Sequence, residues 1–269
     1  MPMMSSTSTS SAESPIPIPI VFDVLGTCFS FDPAIDAVRE LFPEKFSSEA
    51  HARSVIDDWF HSSQRDFTYL SMNGGYTPIA QILKATLPRV LQMNQITTTT
   101  LTQDDLAPVL SIIPSLPPRS SLVECSALLL AAEKPSFQPM AATNGAHKTT
   151  RALYKAALGE QEADKWMYFS CDEIEVAKPA PVVYEAIWER LRSKALGKDG
   201  GWFVASHTWD LYAAKKAGFK TAWTSYEEHD LASDVWGRPD VIGADLVDVA
   251  KQIIAWETKK ASSRSTAQD

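Results

Sequence analysis

The stretch Ile18-Pro19-Ile20-Val21-Phe22-Asp23-Val24-Leu25-Gly26-Thr27 decides the fold. Ile18 to Phe22 is apolar at nearly every position, the pattern of a strand buried on both faces of a parallel sheet. Pro17 and Pro19 hold the entry to this strand extended and remove amide donors there. The strand ends on Asp23, and Gly26 lets the chain turn and leave the sheet. Taken alone, an Asp at a strand end is an ordinary turn former or helix cap. It gains meaning only if other strands of the same sheet also end in polar groups, because ligands of parallel sheets bind beyond the carboxyl ends of the strands.

Working outward, the periodicity changes after Pro33. The segments Pro33–Leu41, Ser48–Tyr69, Pro78–Leu91 and Asp104–Ile113 carry helical apolar spacing with no strand among them. Gly74-Gly75 reads as a turn and Thr97 to Thr100 as a polar connection between helices. Pro114, Pro117 and Pro118 mark the return, after which strands and helices alternate. Helices are predicted near Leu122–Glu133, Lys148–Ala157, Pro181–Lys194, Asp210–Ala217 and Leu246–Trp256. Strands are predicted near Gln138–Ala142, Met167–Ser170, Trp202–Ala205 and Lys220–Trp223. This rhythm implies an α/β fold with a Rossmann-like parallel sheet covered on both faces. The expected organisation is a core of residues 16–33 and 115–258, a helical cap of residues 34–114, and unstructured tails at 1–15 and 259–269.

Composition bounds the functional classes. Of 269 residues, 45% are hydrophobic and 22% charged, ordinary values for a globular chain, and the net charge is −8. That balance argues against a nucleic-acid partner, which needs a basic face for phosphates. The three cysteines include no CxxC pair, which fits a reducing compartment better than a disulfide scaffold. No apolar run approaches the roughly 18 residues of a membrane helix. The Ser/Thr-rich start resembles neither a signal peptide nor an organelle address. A soluble, cytoplasmic protein without a membrane partner is the expectation. The histidines make no metal-ligand spacing, and Cys28 and the eight tryptophans read as core packing.

Four strand ends carry polar groups: Asp23 and Thr27, then Thr143 and Asn144, then Lys178, then Ser206, His207 and Asp210. With the helical insertion between the first and second, this ordered set resembles the haloacid dehalogenase superfamily. The resemblance rests on Phe22-Asp23-Val24-Leu25-Gly26-Thr27, Thr143-Asn144-Gly145, Lys178-Pro179-Ala180-Pro181-Val182-Val183-Tyr184 and Val204-Ala205-Ser206-His207-Thr208-Trp209-Asp210. It covers about residues 18 to 255. Within the superfamily the chain is most similar to the (S)-2-haloacid dehalogenases and their type II relatives.

The resemblance implies a metal-independent hydrolase that converts a small 2-haloacid to a 2-hydroxy acid. Asp23 would be the nucleophile, forming an ester, with Lys178 and Thr27 holding its charge and orientation. Thr143 and Asn144 would take the substrate carboxylate, with Leu25, Phe60, Tyr184 and Ser206 completing the substrate site. Asp210 would orient or deprotonate the water that opens the ester. His207 stands where the family usually has Asn. It reads either as a neutral imidazole sharing that water or as a helix-entry residue bonded to backbone. No cofactor and no metal are expected. Phosphatases of the superfamily place a second Asp where this chain has Leu25, and another acid where it has Ala205. Hard oxygen ligands for Mg²⁺ are therefore too few. One departure concerns the halide: the dehalogenases supply an Arg from a cap helix, and the matching pair here is Trp59-Phe60. Arg65 is about 140° round the helix and Arg53 roughly 10 Å along it, while His61 is adjacent. Alternatives that keep the fold are a hydrolase of another small ester or phosphate, and a non-catalytic relative binding a small acid. Relatives pair through cap or core helices, so a homodimer is compatible with the reading.

Overall fold

The computed structural model describes residues 16–198 and 200–265. The expected tail of residues 1–15 lies outside them. Six strands, β1 (Ile18–Phe22), β2 (Phe137–Thr143), β3 (Met167–Ser170), β4 (Trp202–Ala205), β5 (Lys220–Thr224) and β6 (Val241–Gly243), form one sheet. Every neighbouring pair is parallel and the order is β3-β2-β1-β4-β5-β6. This is the doubly wound order, in which the chain runs outward from β1 in one direction and then in the other. The switch point falls between β1 and β4, where Ile20 lies opposite Pro139 on one side and Trp202 on the other. Pairing with β4 starts at Ile20, so the missing amide of Pro19 removes no rung on that side.

Between β1 and β2 stand α1 (Asp32–Leu41), α2 (Glu49–Met72), α3 (Ile79–Met93), α4 (Ala107–Leu110) and α5 (Leu122–Ala131). The rest are α6 (His147–Leu158), α7 (Glu160–Ala163), α8 (Pro181–Arg192), α9 (Thr208–Lys216), α10 (Ser233–Trp236) and α11 (Leu246–Ser265). Alternation along the strands builds two cores. Ile20, Phe22 and Val204 face α5, α6 and α11, while Val21, Phe203 and Ala205 face α8 and α9. Both faces are covered, which is why the two central strands, β1 and β4, are wholly apolar.

α2 begins at Ser48, whose hydroxyl accepts the amide of His51 at 3.1 Å and closes the first turn. Its apolar stripe, Ala52, Val55, Ile56, Trp59 and Phe67, packs on the Ile82, Leu83, Leu87 and Val90 face of α3. The seam is also bonded: the Trp59 indole donates to the Leu83 carbonyl at 2.9 Å.

Three expectations need correction. The helix predicted over Asp104–Ile113 is one turn, α4, followed by a 3₁₀ turn at Ile113–Ser115. Pro108 and Pro114 remove two amides from a segment that short and limit it to single turns. The tail expected at 259–269 is helical as far as Ser265. Helix-forming residues follow Trp256 without Gly or Pro, and Glu257 anchors them by accepting the Trp202 indole at 2.9 Å. β6 was not predicted, because three residues are too short for alternation to register. No helix among the described residues is long and apolar enough to cross a membrane.

Candidate active site

Asp23 leaves β1 with its amide on the Val204 carbonyl at 2.9 Å, so its position is set by the neighbouring strand. The chain then folds back on itself. Gly26 takes φ +85°, its amide donates to Phe29 at 2.9 Å, and Cys28 donates to Val24 at 2.8 Å. A Cβ at Gly26 would lie 3.0 Å from both the Glu227 side chain and the His207 ring, and φ +85° strains any other residue, so glycine is favoured here. The turn brings the Thr27 hydroxyl to the Asp23 carboxylate, to which it donates at 2.7 Å. The same oxygen accepts the Ser206 amide at 2.9 Å and so ties the turn to β4.

Lys178 enters from the loop after β3. Its backbone amide donates to the Asn144 side-chain oxygen at 2.9 Å. From α2, Thr68 donates to the Lys178 carbonyl at 3.2 Å and Ser71 accepts the Ala177 amide at 3.0 Å. The buried ammonium donates to Asp23 at 2.6 Å, to Asp210 at 2.6 Å and to the Ala142 carbonyl at 3.3 Å. Asp210, in the first turn of α9, accepts the Tyr184 hydroxyl through its other oxygen.

The two carboxylates are driven apart. Burial pushes the Asp23 carboxyl up, but Lys178 and His207 outweigh it and hold it well below the usual carboxylate range. At Asp210 burial again raises the value, Asp23 adds to it, and Lys178 does not fully compensate. Lys178, flanked by both, is raised despite its burial. Asp23 is therefore an ionised, oriented carboxylate, and Asp210 the more basic of the pair.

His207 stands at the N-terminus of α9, where its side chain makes no capping bond. The helix-entry reading with a backbone bond is thus not what is found. Neither ring nitrogen has a hydrogen-bond partner, and Nδ1 lies 3.6 Å from the Asp23 carboxylate. Burial lowers the ring's proton affinity, but Asp23, Glu227 and Glu228 outweigh that and raise it.

Phe60 does reach this centre, 5.9 Å from the His207 ring and 4.4 Å from Phe31. His61 lies 6.4 Å from His207. Arg53 pairs with Asp32 at 2.6 Å and Arg65 with Asp66 at 3.4 Å, so neither turns its charge to Asp23. Thr143 accepts the Gly145 amide at 2.8 Å, which shapes the loop after β2. Leu25 packs against the core at the same loop. The Ser206 hydroxyl bonds Thr224 at 2.8 Å, so what Ser206 contributes to the centre is its amide to Thr27, not a substrate-facing hydroxyl.

Three charged residues at this centre lie outside every motif. Arg119 donates to the Gly26 carbonyl at 3.0 Å and pairs with Glu227, while Glu228 accepts the Thr208 amide at 2.8 Å. The only sequence signal for the two glutamates is their position just beyond the end of β5. A cavity of about 210 Å³ lined by Phe31, Asp32, Arg53, Asp57, Arg119 and Glu227 adjoins this wall. A larger groove, about 740 Å³, lies over α8 and α9 and does not include Asp23. Cys28 is buried with its thiol pushed up to about 12, which makes it inert.

No protein-family model matches the chain. (S)-2-haloacid dehalogenase 2 of Pseudomonas sp. (strain CBS-3) is 35% identical over 80 residues, which are 29% of this chain and 32% of that relative. The match thus spans about a third of the curated relative. The L-2-haloacid dehalogenase of Xanthobacter autotrophicus superposes over 88% of this chain and 98% of its own, with TM-score 0.69 and 20% identity.

The fold is that of the L-2-haloacid dehalogenases.

The same dehalogenase with chloropropionic acid covalently bound matches with TM-score 0.67 and 19% identity over 88% of this chain and 98% of its own. A more distant neighbour, a HAD-hydrolase of Bacillus subtilis bound to magnesium, has TM-score 0.61 and 14% identity over 90% of this chain and 99% of its own. The residues placed by this dehalogenase fold do not suit such a metal. Leu25 and Ala205 offer no ligand, and the oxygens of Asp23 and Asp210 already accept from Lys178, Thr27 and Tyr184. Among the described residues, no group of three or more His, Cys, Asp or Glu is arranged to hold a metal ion.

Proposed function

We propose that the chain is a metal-independent hydrolase that displaces halide from a small 2-haloacid through an ester on Asp23. The observation that carries this reading is an ionised Asp23, bonded at 2.6 Å to Lys178 and 2.7 Å to Thr27, with leucine two residues on. A carboxylate so held is a nucleophile, and halide leaves without a general acid. The alkoxide that leaves a phosphate or carboxylic ester would need the proton that Leu25 cannot supply.

Asp23 attacks C2 of the substrate, the carbon–halogen electron pair departs as halide, and the configuration at C2 inverts. Thr143, the free amide hydrogens of Asn144 and the loop amides after β1 and β2 receive the substrate carboxylate. Leu25 and Phe60 bound its alkyl side. Water then attacks the carboxyl carbon of the Asp23 ester, and Asp210 takes its proton. Burial makes Asp210 the stronger base of the pair, and Tyr184 fixes its orientation. The 2-hydroxy acid leaves with an oxygen that began on Asp23. Residues 34–114 act as the cap that closes this centre, through the α2 contacts to the Lys178 loop.

Halide release from (S)-2-chloropropionate, with and without EDTA, tests the reading. A single turnover in ¹⁸O-water should place the label on Asp23, and only later turnovers should deliver it to product. Label in the first product refutes the ester, and activity restored only by Mg²⁺ refutes metal independence.

A further inference from the structure

Among the described residues, three buried side-chain polar atoms lack a hydrogen-bond partner, and two of them are the ring nitrogens of His207. Buried polar groups are paired in the great majority of cases, and Nε2 lacks even the ion-pair contact that Nδ1 makes with Asp23, so this nitrogen calls for a ligand. The ring is fully buried. Its Nδ1 faces Asp23 at 3.6 Å, which leaves Nε2, across the ring, as the nitrogen turned away from the nucleophile. Around it stand Trp209 at 5.4 Å, stacked, Phe60 at 5.9 Å and His61 at 6.4 Å. Such aromatic walls exclude water and strengthen any charge inside them.

The charges that face the ring come from three elements. Asp23 ends β1, Glu227 and Glu228 follow β5, and His61 lies on α2. Arg119 neutralises part of Glu227, and Lys178 stands on the far side of Asp23. The carboxylates outweigh the burial that opposes protonation of His207, whereas burial and His207 together lower His61.

We propose that His207 receives the departing halide at its unpartnered Nε2, beside Phe60, in place of a cation from α2. This rests on the dehalogenase reading above. Displacement at carbon requires the halide to leave on the side opposite the attacking Asp23 oxygen. With Nδ1 3.6 Å from an Asp23 oxygen, the ring flanks the nucleophile and borders the space in which the carbon–halogen bond breaks. The carbon–halogen pair goes to the halide, which accepts the Nε2–H bond, and no proton changes hands. An N–H donated from a cation to an anion is the stronger kind of hydrogen bond. Glu227, paired with Arg119, is one of the carboxylates whose charge favours an N–H on this ring.

Bromide titration of tryptophan fluorescence tests this without turnover, because Trp209 stacks on the ring and bromide quenches indole. The wild type should show saturable quenching at about pH 6 that weakens as pH rises through the imidazole range. Sulfate at equal ionic strength should not reproduce it. His207→Gln should lose affinity about tenfold or more, the value of a hydrogen bond to a charged group. His207→Asn serves if thermal melting finds the Gln variant unfolded. No saturable quenching in the wild type, or equal bromide affinity in the folded variant, overturns the proposal. Halide release from 2-chloropropionate with bromide affinity indifferent to position 207 rejects this proposal alone. Bromide binding through His207 without any turnover supports it and rejects the dehalogenase reading.

Discussion

Replacing Lys178 with Met keeps an unbranched apolar stem and deletes the ammonium with its N–H donors. The ammonium is 1% exposed and donates at 2.6 Å to each of Asp23 and Asp210. Without it two buried carboxylates face each other unpaired. Removing one member of a buried ion pair costs roughly 3–5 kcal/mol. For a chain of this size that is a fall of roughly 6–20 °C in Tm at neutral pH. The pH dependence carries the stronger test. In the wild type the Asp23 carboxyl is held low, so its contribution is complete above the unfolded value of about 3.9 and is lost as pH falls through the lower folded value. Lys178 is raised, so its contribution is complete below about 10.4 and is lost only as pH rises beyond that through its folded value. In Lys178→Met, burial and mutual repulsion favour the neutral acids and lift both carboxyls above their unfolded values. Stability of the variant should then rise as pH falls from about 8 to about 5, and its deficit against the wild type should shrink. Urea unfolding of both proteins across that range measures the deficit directly. A deficit that stays constant with pH refutes the argument, since it would mean that Lys178 contributes packing and not charge.

Asp210→Ala should slow ester hydrolysis more than ester formation, lowering turnover about 10²–10⁴-fold, and mass spectrometry should find the adduct on Asp23. Thr27→Val removes the 2.7 Å bond to Asp23 and the acceptor of the Ser206 amide. It should reduce kcat/KM by about 10–100-fold in steady-state assays. Gly26→Ala places a Cβ 3.0 Å from Glu227 and His207 at φ +85°. It should cost about 1 kcal/mol or more in thermal melts and weaken bromide quenching, because the ring must move. Phe60→Arg in a His207→Gln background should restore halide release if the ring's role there is its charge, and unchanged release counts against that role.

How much of this was legible in the chain follows from the range of each signal. Burial on both faces of a parallel sheet leaves apolar runs with polar ends, so β1, β3 and β4 were bounded from sequence to the residue. The strand-end rule then named Asp23, Lys178, His207 and Asp210 as one set before any distance was known. Short elements escaped: β6 has three residues and α4 a single turn, too few for periodicity. The run without Gly or Pro after Trp256 lets α11 continue to Ser265, but the bond between Trp202 and Glu257, which anchors it across 55 residues, is not encoded in local composition.

At the centre the same division holds. Residue type and order along the chain singled out Asp23 and Lys178 as candidates, because a carboxylate and an ammonium at strand ends, with no second acid at Leu25, are visible without any coordinates. Which hydroxyl faces the centre was decided only in three dimensions, and Ser206 turned to Thr224 instead. The raised proton affinity of His207 was also out of reach, since burial opposes it and Asp23, then Glu227 and Glu228 from another loop, outweigh that burial. Electrostatic energy depends on distance and on the exclusion of water, and a sequence specifies the charges but neither of those until the chain is packed.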